Sequence, residues 1–142
     1  MKTKRSIECW LFHRPRQQFL LLRCPMTRRH PEYWQPITGG VLAHERSIDA
    51  CLREVREETG VVLQPENIVT VLEDFRVVVP EYHLIVRKPI FTAETAIDAI
   101  TISDEHLAYC WIAPEIVTSL LFWESNKVSF QAVQKFYRQN FS

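Results

Sequence analysis

The sequence predicts an α/β fold, and three observations carry that prediction. Runs rich in β-branched, aromatic and aliphatic residues at 5–13, 18–23, 68–79 and 82–91 have the composition of strands. The segment 46–59 repeats apolar residues at helical spacing, with Ile48, Leu52, Val55 and Thr59 along one line. A second helical pattern, Val128, Ala132, Val133, Phe136 and Tyr137, closes the chain.

Taken in order, the first two strands are joined by His13-Arg14-Pro15-Arg16, so a hairpin is expected. Residues 34–41 read as a short strand ending at Gly39-Gly40. The helix 46–59 follows, and Gly60 is placed to stop it, since glycine takes the left-handed conformation that ends helices. After strands at 68–79 and 82–91 comes a last one at 108–112. Pro114 suits the first turn of a short helix, and the closing helix is expected over 125–141.

A chain of 142 residues is long enough for one well-packed domain, expected here to span 1–142. Its 46% apolar and 24% charged residues are ordinary for a soluble protein, and no stretch approaches the ~20 apolar residues of a membrane span. The basic start Met1-Lys2-Thr3-Lys4-Arg5 is followed by Glu8, His13 and Arg14, which interrupt any secretory signal, so a cytoplasmic protein is expected. Cys9, Cys24, Cys51 and Cys110 are scattered without a Cys-x-x-Cys pair and read as reduced core thiols. Lysine plus arginine balance aspartate plus glutamate at 17 each, which argues against general nucleic-acid binding. Recognition of any anionic ligand therefore has to be local.

The most informative segment is Gly39-Gly40-Val41-Leu42-Ala43-His44-Glu45, seven further residues, and then Arg53-Glu54-Val55-Arg56-Glu57-Glu58-Thr59-Gly60-Val61. On a helix, Glu54, Glu57 and Glu58 stand at i, i+3 and i+4 and share a face, with the apolar line on another. Such carboxylates repel by a few tenths of a kcal/mol per pair, and no lysine stands at i+4 of any of them. Hard divalent cations are the natural neutralisers. Mg²⁺ is foremost, with Mn²⁺ an alternative, because such ions bind a few carboxylates and share their remaining positions with water and substrate phosphates.

This segment matches, at every defined position, the signature of the Nudix hydrolases, and the chain resembles that family. The resemblance implies an α/β/α sandwich with a mixed β-sheet, in which the segment forms a loop, a helix and a second loop. It implies that the Gly39 carbonyl and the carboxylates of Glu54, Glu57 and Glu58 hold metal, and that Glu45 and Arg53 pair to brace loop against helix. Leu42 stands where an acidic residue is frequent in the family, and His44 where a glycine is frequent. Flanking segments, Tyr33-Trp34-Gln35-Pro36-Ile37-Thr38 and Glu105-His106-Leu107-Ala108-Tyr109-Cys110-Trp111, look like those of bacterial members acting on dATP and dihydroneopterin triphosphate.

Activating a water and aiming it at phosphorus calls for a further group from another element. Ser103-Asp104-Glu105-His106 offers one, and Glu105, ahead of Trp111, is the candidate for an additional metal ligand or general base. Arg23, Arg28 and Arg29 precede Trp34, so guanidinium groups suited to phosphate and a ring suited to stacking converge near the glycine loop.

The expected activity is hydrolysis of a phosphoanhydride in a nucleoside-triphosphate-like substrate, dATP or dihydroneopterin triphosphate, to the monophosphate and pyrophosphate. Dinucleoside polyphosphates, nucleotide sugars and RNA 5′ ends stand as alternative substrates, and a ligand sensor without turnover as the rival of another class. The expected partner is a small nucleotide-like molecule, not a membrane; a homodimer is left open.

Overall fold

The structure, a computed structural model, describes residues 1–141. One mixed sheet of seven strands runs through the molecule: β1 (Lys2–His13), β2 (Gln18–Cys24), β3 (Tyr33–Gln35), β4 (Ile37–Gly40), β5 (Ile68–Val79), β6 (Leu84–Thr95) and β7 (Ala108–Ile112). Three helices accompany it: α1 (Ser47–Thr59), α2 (Pro114–Leu120) and α3 (Glu124–Phe141). None of the helices among the described residues is long and apolar enough to cross a membrane.

The sheet order is β3-β2-β1-β6-β5, with β4 added to β1 and β7 to β2. Among the strand pairs of the described residues, β1–β6 is parallel and the others are antiparallel, which makes the sheet mixed as expected. One edge of β1 is divided. Phe12 and His13 pair with β2 near the hairpin turn, whereas Ser6 to Cys9 pair with β4. Beyond Phe19, β2 leaves β1 and runs along β7 and β3. This division admits β4, and with it Gly39 and Gly40, beside the central strand.

Alternation along β1 sends its side chains into two cores. Ile7, Cys9 and Leu11 join Ala50, Cys51 and Val55 of α1 on one face. Trp10 and Phe12 join Val117 and Leu121 around α2, and Phe130 and Val133 of α3, on the other. Helices on both faces of one sheet make the α/β/α sandwich.

Several boundaries move. The expected strand at 34–41 is broken at Pro36, which has no N–H for a ladder, into β3 and β4. Tyr82, expected at a strand start, lies in the short 3₁₀ turn Pro80–Tyr82 that ends with His83 in the left-handed conformation. Gly60 ends α1 at φ 79°, its amide donating to the Arg56 carbonyl at 2.9 Å. The face of α1 that packs is also rotated from the expected one. Ala50, Cys51, Val55, Glu58 and Thr59 are its buried residues, while Ile48 and Leu52 are only half-buried. The carboxylates therefore do not all stand opposite the core: Glu58 lies among the packing residues at i+3 of Val55.

Candidate active site

Gly39 and Gly40 end β4 directly beside α1, and the fit between them is close. A Cβ built on Gly39 would lie 2.1 Å from Cδ of Glu54, so only glycine lets this carboxylate lie over the strand. The Gly39 carbonyl accepts a hydrogen bond from the Ser6 hydroxyl at 2.6 Å, in the stretch where β4 pairs with Ile7 of β1. The loop that follows turns at His44, where φ is 65°. That left-handed conformation explains why glycine suits this position, and histidine is among the side chains that tolerate it.

Arg53 organises the loop. Its guanidinium donates to both oxygens of Glu45 at 3.0 Å and to the Gly40 carbonyl at 2.9 Å, so loop and helix are braced as one unit. Glu45 also accepts from the Leu42 amide at 3.0 Å. These bonds, the Arg53 fork first, hold the Glu45 carboxyl down at about 2. Arg53 reaches further, to Glu54 at 2.8 Å and to Glu57 at 3.5 Å. Part of the repulsion expected among the carboxylates is thus relieved from within the helix, by an arginine ahead of them rather than a lysine behind.

The carboxylates sit in graded environments. Glu57 is 58% exposed, Glu54 only 13%, and Glu58 is buried. Burial raises the Glu54 carboxyl, opposed by Arg53 and reinforced by Glu57 and Glu105. Glu58 is pushed up to about 9, first by burial and then by the charges of Glu54, Glu105 and Glu57. The Thr38 amide opposes this, and Oε2 of Glu58 has no hydrogen-bond partner. The charge of Glu105, on the loop ahead of β7, is felt at both Glu54 and Glu58.

This donor set fits a hard divalent cation. It consists of carboxylate oxygens beside the Gly39 carbonyl, and one of them, Oε2 of Glu58, is buried without a hydrogen-bond partner. Among the described residues no three acidic, histidine or cysteine side chains already form a cage. Glu54 is turned onto Arg53, so a bound cation would draw it off the guanidinium.

A family model of the NUDIX domain matches residues 2–134. The chain belongs to the Nudix hydrolase family. Across 126 residues it is 32% identical to bis(5′-nucleosyl)-tetraphosphatase [asymmetrical] of Mus musculus, covering 84% of this chain and 80% of that protein. Among solved structures, the E. coli dihydroneopterin triphosphate pyrophosphohydrolase superposes with a TM-score of 0.78 at 22% identity, covering 98% of this chain and 99% of that one. A C. elegans Ap4A hydrolase gives 0.72 at 18%, covering 94% and 98%. At those identities the structural likeness speaks for the Nudix fold alone.

The remaining sequence candidates lie around the sheet end. Trp34 is half-buried against the α3-side core, with the Arg23 guanidinium 5.8 Å from its ring centroid. Arg23 also pairs with Glu32 at 2.6 Å. Arg29 stacks over Tyr82 at 4.7 Å and donates to the Glu81 carbonyl, while Arg28 is exposed on the same loop. His106 is buried, its Nδ1 lacks a partner, and burial lowers its pKa. Sequence reasoning missed Ser6, whose hydroxyl meets the Gly39 carbonyl. It gave no signal, because the contact depends on β1 lying beside β4.

Proposed function

We propose that this Nudix hydrolase is a Mg²⁺-dependent pyrophosphohydrolase that cleaves a phosphoanhydride of a nucleoside-triphosphate-like substrate, dATP or dihydroneopterin triphosphate, to the monophosphate and pyrophosphate. The observation that carries this reading is the buried, unpartnered Glu58 carboxylate oxygen held beside Glu54, Glu57 and Glu105. A binding module without turnover has no use for so costly a cluster. Glu54, Glu57, Glu58 and the Gly39 carbonyl would hold the cation, with Glu105 as a further ligand or base. When bound, Mg²⁺ neutralises phosphate oxygens and lowers the pKa of a water.

The chain's own residues do the rest. Arg53 and Glu45 fix the glycine loop against α1, so the carbonyl and carboxylates keep one geometry while substrate exchanges. Glu105 accepts a proton from the attacking water as its oxygen bonds to phosphorus and the bridging P–O bond breaks toward pyrophosphate. Arg23 and Arg28 meet the distal phosphates, and Trp34 walls the cleft. A second reading, cleavage of dinucleoside polyphosphates, is favoured by the 32% identity to a protein named bis(5′-nucleosyl)-tetraphosphatase.

The test is a nucleotide panel with product analysis, paired with Glu57→Gln. This exposed side chain can change without disturbing a core, so the thermal transition should stay and turnover fall by more than the ~10–100-fold typical of outer-shell partners. Near-normal Glu57→Gln turnover at saturating Mg²⁺ would remove the metal assignment. Pyrophosphate from dATP or dihydroneopterin triphosphate supports the leading substrate class, and preferred cleavage of diadenosine tetraphosphate the second. Preference for ADP-ribose would sink both, and tight binding without product would favour a sensor.

A further inference from the structure

Trp34 is half-buried, packed against the α3-side core with the Arg23 guanidinium 5.8 Å from its ring centroid. A different aromatic group stands at the same end of the sheet. His30, Tyr33, Phe122 and Trp123 come from two loops and a strand, and every pair among them is in ring contact, at centroid separations from 4.8 Å for His30–Trp123 to 6.4 Å for His30–Phe122. The cluster is not closed over. Phe122 is 45% exposed, and Tyr82 across from it is 50% exposed beneath the Arg29 guanidinium. Between these loops and the β5–β6 turn lies a cavity of about 370 Å³ lined by Arg29, His30, Glu81, Phe122 and Trp123.

The lining has a specific chemistry. Two aromatic rings and an imidazole offer π surface, Arg29 offers a cation for a ring face or a phosphate, and Glu81 offers an acceptor for an amino group. An aliphatic ligand would use none of this, and a bare anion would meet Glu81. Strand pairing and chain length bound the separation between the aromatic cluster and the glycine loop. Tyr33 pairs across the sheet with Cys24, and Cys24, raised to about 11 by burial, also feels the charge of Glu58. The few residues from Tyr33 to Gly39 span at most about 20 Å.

Resting on the hydrolase reading above, we propose that this notch seats the flat, amino-bearing heterocycle of the polyphosphate substrate. The ring lies on Phe122 between Arg29 and His30, its amino group is turned to Glu81, and its phosphates run toward Gly39 and α1. Discrimination among substrates then belongs to Phe122, Arg29 and Glu81 rather than to Trp34.

Tryptophan fluorescence in EDTA tests binding without catalysis. Titration with dATP should quench emission and tripolyphosphate should not, and Trp123→Phe should remove the quenched component. Phe122→Ala should weaken dATP binding and raise KM about tenfold with kcat little changed, the size expected of one lost stacking contact, and Phe122→Tyr should restore both. Should Phe122→Ala fail to fold, Arg29→Ala and Glu81→Ala on the exposed rim carry the same expectation. Equal KM losses for dATP and diadenosine tetraphosphate place the base next to the cleaved phosphates in the notch, and a loss confined to the latter places its far base there. Unchanged binding and KM for both substrates in folded Phe122, Arg29 and Glu81 variants would overturn the proposal, as would equal quenching by tripolyphosphate. Quenching that persists in a protein without turnover would instead strike the hydrolase reading and leave the notch.

Discussion

Glu58→Gln should make the metal-free protein more stable at alkaline pH, an unusual result for a buried residue. Burial and three neighbouring carboxylates raise Glu58 from 4.5 to about 9 in the folded state. Between those values the folded protein retains a proton that the unfolded chain has released. Stability from this group is complete below the unfolded pKa and is lost as pH rises through the folded one, at about 1.4 kcal/mol per pH unit. From pH 5 to pH 8 the loss is at most about 4 kcal/mol, and screening by nearby solvent brings the expectation to about 2 kcal/mol. Glutamine keeps the shape and removes the titration. In EDTA at pH 8, Glu58→Gln should melt about 5 °C above the parent, with the gap shrinking toward pH 5. Excess Mg²⁺ should reverse the order, because only the parent has the full charge to bind it. Glu45 does not confuse the assay. Its carboxyl is held at about 2, so its contribution is present above the unfolded value and fades only as pH falls toward 2. A scanning-fluorimetry series in which Glu58→Gln melts no higher than the parent at pH 8 in EDTA, or in which the gap ignores pH, would refute this reasoning.

Glu105→Ala should lower kcat more than it raises KM in steady-state assays, since a base or catalytic ligand acts mainly in the transition state; a change in KM alone would make it a binding residue. Lys88→Ala should cost about 3–5 kcal/mol in urea unfolding, because it strands the buried Glu8 carboxylate that Lys88 meets at 2.7 Å. Glu8→Gln combined with Lys88→Met should recover most of that loss, and no recovery would mean that the lysine stem, not its charge, is what matters.

The candidate site was more legible in the sequence than its surroundings. Gly39, Glu45, Arg53 and the three helical glutamates are close in the chain, so their spacing could be read directly, and the structure sets them within one loop and helix. The strands and helices were legible for the same reason, since their patterns are local. What could not be read depends on which strands become neighbours. The rotated packing face of α1 follows from where the sheet presents its apolar side, and it is this that buries Glu58. Likewise the aromatic notch joins residues near 30, 81 and 122 that share no pattern along the chain.

Two buried carboxylates in this protein receive opposite treatment, and the contrast bears on what the cluster is for. Glu8 on the α3 side accepts from Trp10 Nε1 and Lys88 Nζ at 2.7 Å, from Asn126 Nδ2 at 3.0 Å and from the Ser129 hydroxyl. Both of its oxygens are satisfied and its charge is paired, which is how a buried acid is ordinarily accommodated. On the α1 side, Glu58 has an oxygen without a partner and feels three other carboxylates, while Arg53 on the same helix is engaged with Glu45, Gly40, Glu54 and Glu57 instead. A fold able to satisfy Glu8 so thoroughly had donors available in its repertoire. The deficit at Glu58 is therefore best accounted for by a ligand that brings positive charge and oxygen coordination together, and removing the deficit should stabilise the empty protein while disabling the loaded one.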